Sequence, residues 1–131
     1  MLALTCLGAS SDGDIVLEVT GLDHQSGTVR CGLYQEESWL EPPDAVRWVD
    51  AEYRDGKAYC TFDDIEPGEY AIGSFHDADN DHEMATNVVG IPTEGVCASN
   101  DPEGGMGPPD YDGAKFEHGR GETHVSCTMR Y

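Results

Sequence analysis

Basic residues are scarce in this 131-residue chain. Seven lysines and arginines stand against 26 aspartates and glutamates, a formal charge of −19 at neutral pH. Nucleic-acid phosphates are bound through clustered Lys and Arg, so nucleic acid is excluded as a partner, and an anionic membrane surface is disfavoured on the same ground. No apolar run approaches the roughly 18 residues that a membrane-spanning helix needs, so no membrane span is expected. The five cysteines, Cys6, Cys31, Cys60, Cys97 and Cys127, include no C-x-x-C pair, which counts against a zinc ribbon or a thioredoxin-type centre. G-x-S-x-G, H-E-x-x-H and a glycine-rich phosphate loop followed by lysine are all absent. Asp63 and Asp64 are adjacent carboxylates, but before Pro67-Gly68 they read as turn residues. No long stretch holds a helical repeat.

Period-two alternation fills the space that these absences leave. In "DIVLEVTGL", Ile15, Leu17 and Val19 alternate with Val16, Glu18 and Thr20, the pattern of a half-buried strand. "TVRCGLY" puts Val29, Cys31 and Leu33 on one face, and "THVSCTMRY" does the same with Val125, Cys127 and Met129. Asp55-Gly56 lies between two alternating runs, the signature of a two-residue type I′ hairpin turn. Ala58, Cys60 and Phe62 share a face of its second arm. "EYAIGSFHD" and "AKFEH" are further strands, the latter followed by a turn at "GRGE". Pro67-Gly68 before a strand predicts a turn with positive φ at the glycine. Together these predict an all-β fold: an Ig-like or prealbumin-like antiparallel β-sandwich of roughly six to eight strands.

One such domain is expected over residues 12–131, behind an apolar, small-residue N-terminus, residues 1–11, that reads as a signal-peptide remnant or a disordered arm. A lipoprotein site at Cys6 is the weaker reading, because Thr5 stands where Gly, Ala or Ser is usual. Without Cys6, four cysteines allow three disulfide pairings, and the spacing does not choose among them. Inward-facing cysteines serve equally well as small core residues or as an oxidised pair. Most of the negative charge reads as a solvated surface; a saline habitat or a divalent-cation site is a sharper reading compatible with it.

Residues 77–113 break the alternation. They form one long Gly/Pro/Asp-rich loop, and a connection this long inside a compact domain tends to be functional or disordered. Val88, Val89, Ile91, Val96 and Tyr111 offer apolar anchors for it. Counted from Asp77, carboxylates occupy positions 1, 3, 5 and 7: Asp77, Asp79, Asp81 and Glu83, with Asn87 as a later oxygen. Alternate oxygens in a tight loop suit calcium, which takes six to eight of them at about 2.3–2.6 Å. The EF-hand pattern is incomplete, with His82 for the expected glycine, Val88 for the closing glutamate and Ala85 at position 9. Magnesium, or a transition metal using His76 and His82, is the alternative cation. A loop that is only solvated is the bland reading. His76 continues the inward series of Tyr70 and Ile72, so it reads first as a hydrogen-bonded core residue.

An ordered string of motifs from Pro67 to Ala114 resembles a bacterial family known as domain of unknown function 2141. The matching residues are Pro67, Gly68, Tyr70 and Ala71; His76, Asp77, Asp79, Asp81 and Asn87; Gly90, Pro92, Glu94 and Gly95; Ser99 and Asn100; and Pro109, Tyr111 and Ala114. His82 and Ala85 depart from it, replacing the family's loop glycine and second acidic residue. The resemblance implies a small exported protein and supplies no activity. The P-G-x-Y strand start is also similar to transthyretin-like and collagen-adhesin B-type sandwiches, a likeness of fold alone. The expected function is an exported, non-enzymatic sandwich with a calcium-organised acidic loop that presents a binding surface to an extracellular or periplasmic ligand or protein. A metal-dependent enzyme using His76 and the acidic loop is the alternative, and a structural module with a solvated loop is the third.

Overall fold

The computed structural model describes residues 13–22, 27–77, 95–101 and 110–130. Nine strands lie among them: β1 (Gly13–Thr20), β2 (Thr28–Tyr34), β3 (Arg47–Asp50), β4 (Glu52–Arg54), β5 (Lys57–Ile65), β6 (Gly68–Asp77), β7 (Val96–Ala98), β8 (Phe116–His118) and β9 (Thr123–Thr128). One helical turn, α1 (Tyr111–Ala114), precedes β8. A first sheet runs β4-β5-β1-β9, and a second runs β3-β2-β6-β7 with β8 also paired to β6.

The alternation predicts which side chains meet between the sheets. Ile15, Leu17, Val19, Val29, Leu33, Ala58, Phe62 and Ile72 are all fully buried. Each large aliphatic or aromatic side chain removed from water in this way stabilises the fold by about 1.5–3 kcal/mol. Cys31 on β2 is joined to Cys60 on β5, and Cys97 on β7 to Cys127 on β9. Both bonds cross the core from one sheet to the other. With sequence separations of 29 and 30 residues, each restrains the unfolded chain by roughly 3–4 kcal/mol.

Several local readings change. Among the described residues the count is nine, beside an expected six to eight, because the run before Asp55 splits at Ala51 into β3 and β4, which belong to different sheets, and because the three-residue β7 adds a strand. The sheets are antiparallel except at β1–β9, which pair in parallel from Ile15↔Thr123 to Thr20↔Thr128. Gly68 does not have positive φ. The positive angle falls at Asp64, φ 53°, while Gly68 is paired to His118 at the start of β6. Asp63 and Asp64 are therefore not a turn. They are two residues on β5 opposite the single residue Asp14, a bulge of one extra residue whose Asp64 N–H donates to Asp14 Oδ1 at 3.1 Å. The Asp55-Gly56 turn is as expected, with φ of 54° and 81° joining Arg54 to Lys57.

Candidate functional site

The acidic run begins where β6 ends, and β6 carries apolar or small residues on both faces. Tyr70, Ile72 and His76 face the core, while Ala71, Gly73, Phe75 and Asp77 line the outer side, and all seven are buried. His76 is 1% exposed, with Nε2 3.4 Å from the Tyr53 hydroxyl, whose proton is donated to the Gly27 carbonyl. It is a hydrogen-bonded core residue. Asp77 is completely buried. Its Oδ2 accepts from Arg30 Nε at 2.8 Å, and Arg30 Nη1 donates to Asp50 at 2.7 Å. Asp77 holds the Arg30 guanidinium above its ordinary pKa despite partial burial, so the pair is a fixed cation–anion contact. The first residue of the acidic run thus starts from a rigid point with its carboxylate oriented by the neighbouring strand. Asp79, Asp81, Glu83 and Asn87 lie outside the described residues. Among the described residues no group of His, Cys, Asp and Glu is placed to hold a metal ion.

The outer face above Asp77 is roofed by aromatic rings. The register sets Gly32 beside Gly73 and Trp48 beside Gly32, so two glycines make a floor in the middle of the sheet. A methyl at Gly32 would come within 3.0 Å of Trp48 and Tyr34, and one at Gly73 within 3.1 Å of Leu40. Lacking side chains there, the sheet lets these groups lie on its backbone. Tyr34 packs edge-on against Trp39 and Trp48 at 5.5 and 6.1 Å, Trp39 against Tyr111 at 5.9 Å, and Trp48 against Phe75 at 6.4 Å. Burial, with Glu41 nearby, pushes the Tyr34 phenol up to about 12. Burial also raises Tyr111, assisted by Glu69, Glu36 and Glu37. Val46 and Trp48 are the exposed large hydrophobics among the described residues, at 45% and 41%.

The later motif residues hold this roof on. Ser99 is fully buried; its Oγ accepts from Ile72 N–H at 3.0 Å and donates to the Ala114 carbonyl at 2.6 Å. Asn100, in the left-handed region at φ 67°, donates from Nδ2 to the Lys115 carbonyl at 2.9 Å. These contacts fix α1, and so place Tyr111 against Trp39. Tyr70, of the P-G-x-Y segment, donates its hydroxyl to the Glu66 carbonyl at 2.8 Å and fixes the corner into β6. Arg30, Tyr34, Trp39 and Trp48 escaped the sequence reading. The signal for them was present, since β2 and β6 place Gly32, Tyr34, Ala71, Gly73 and Phe75 on a face that a half-exposed sheet would make polar.

The family model described as "Uncharacterized protein conserved in bacteria (DUF2141)" matches residues 17–126. No curated protein and no solved structure matches the chain. No helix among the described residues is long and apolar enough to cross a membrane.

Proposed function

The chain belongs to this family of uncharacterized bacterial proteins, and on that premise we propose that it is an exported, non-enzymatic binding module with a calcium-organised acidic loop beside its binding surface. The observation that carries this reading is that Asp77, the first carboxylate of the acidic run, lies on the same outer face of the same sheet as Phe75, Trp48 and Tyr34. A cation ordering the residues after Asp77 would order the rim of the aromatic face. Two disulfides support an oxidising compartment, which is where small domains keep such bonds. The burial of His76 in a hydrogen bond to Tyr53 supports the non-enzymatic reading, since a catalytic imidazole must reach substrate.

The test is thermal unfolding in calcium against chelator, at ionic strength matched with potassium chloride. For a Kd near 10 μM, millimolar calcium supplies a hundredfold excess and stabilises by about 2.7 kcal/mol, or roughly 8–16 °C in Tm. Asp79→Asn and Asp81→Asn should each remove the calcium-specific part. Asp77 is the wrong residue for this test, because its loss also removes the ion pair with Arg30. Equal shifts from calcium, magnesium and matched potassium chloride would leave the loop merely solvated.

A further inference from the structure

We propose that the outer face of the second sheet, around Trp48 and Val46, docks a cationic partner, an extended arginine-bearing peptide segment of another protein. The inference rests on the reading of the protein as a binding module and names the chemistry of what it binds. Val46 and Trp48 expose apolar surface two residues apart on and beside the edge strand β3. Trp48 is held there by Tyr34 and Phe75, with ring planes at 83° and 80° to its own, so its exposed surface is pre-formed. The connection from β2 to β3 borders this surface with four exposed carboxylates, Glu36, Glu37, Glu41 and Asp44. The cations of this face are already engaged. Arg30 is paired with Asp77 and Asp50 and Lys115 lies near Glu69 and Asp112, while Arg47, on the alternate side of β3 from Trp48, donates to the Asp63 carbonyl of the other sheet.

An aromatic ring beside surplus carboxylates matches a guanidinium, which stacks on the ring and donates to carboxylates from the same plane. A second copy of this chain, also at −19, is repelled from such a face. A neutral sugar would use the ring and leave the carboxylates without a role. Glu41 and Glu36 also contribute to the raised pKa values of Tyr34 and Tyr111, consistent with negative potential converging on this face.

Both tryptophans of the chain, Trp39 and Trp48, stand in this patch, so intrinsic fluorescence reports on it directly. The experiment titrates the intact, oxidised protein with hexa-arginine, with hexa-glutamate and with a neutral glucose hexamer, following emission and calorimetry. Hexa-arginine should shift the emission and bind, and Trp48→Ala should weaken it at least fivefold. Glu41→Gln should weaken it about twofold, and Glu52→Gln on β4 of the opposite sheet should leave it unchanged. Circular dichroism of each variant confirms the fold. Equal weakening by Glu41→Gln and Glu52→Gln, with Trp48→Ala silent, would reduce the binding to general charge and overturn the proposal. Binding of the glucose hexamer without hexa-arginine would overturn the partner chemistry while leaving a binding module. Emission unmoved by every probe would overturn the proposal as well. The calcium response is measured separately, so its failure would remove the cation from the loop without altering the outcome at Trp48.

Discussion

The two outer faces of the sandwich are built from the same alternation and end in opposite states. On the first sheet, Glu18 accepts from Lys57 at 3.0 Å and from Tyr59 at 3.3 Å, Arg54 lies 4.3 Å over the Tyr59 ring, and Glu122 is 3.1 Å from His124. Glu18, Arg54, Tyr59, Glu122 and His124 line an open trough of about 670 Å³, and the contacts of Glu18 and Arg54 run between neighbouring strands. On the second sheet the middle of the face is glycine, alanine or aromatic, covered by Trp39, Leu40 and Tyr111, and the charges at its end are the Arg30–Asp77 pair. A face that pairs its own charges needs no partner to be stable. A face that buries a charge pair and rings on its outer side depends on a cover, and that cover meets water at Trp48.

The comparison breaks most sharply at Asp77. Asp77→Ala takes from the partly buried Arg30 its fully buried ion-pair partner, and should cost about 3 kcal/mol, or roughly 10 °C in Tm. Combining Arg30→Met with Asp77→Leu should recover most of that loss, because no uncompensated charge remains. A single variant with an unchanged Tm would show the pair to be solvated. Ser99→Ala comes next. It leaves the Ile72 N–H without the Ser99 hydroxyl as acceptor and α1 without one of its anchors, for about 2 kcal/mol by denaturant unfolding.

Alkali tests the roof through Tyr34. Its folded pKa is raised, so its contribution is fully present below the unfolded value near 10. It is lost as pH rises through about 12, because the unfolded chain ionises first. Between pH 10 and 12 stability should therefore fall by about 1–2 kcal/mol more in the native protein than in Tyr34→Phe. Parallel curves for the two proteins would place Tyr34 in water. The smallest effect belongs to the bare face. Lys57 lowers the Glu18 pKa through hydrogen bond and charge, yet the pair is exposed, so Glu18→Gln should move Tm by no more than ~2 °C. A larger shift would mean that the first sheet's face is not the passive one.

Much of this architecture was legible before folding. Ile15, Leu17 and Val19 announce their face by alternation, and Asp55-Gly56 announces its turn through the two residues that best tolerate positive φ. The misread Pro67-Gly68 shows the limit. The strained angle passed to Asp64 because the bulge against Asp14 is a property of two strands, not of the dipeptide. The acidic run was legible as chemistry, but the partner of its first member was not. Arg30 lies 47 residues away and meets Asp77 only through the β2–β6 register.

The sequence by itself determined the strand character, the inward faces and the hairpin, because each depends on neighbours one or two positions away. Tertiary structure alone decided that Cys31 meets Cys60 and Cys97 meets Cys127, that β1 and β9 lie parallel, and that Ser99 carries the turn beneath Tyr111. Those contacts join residues far apart in the chain. Local pattern can say that a cysteine faces inward, but the packing of one sheet on the other decides what it faces.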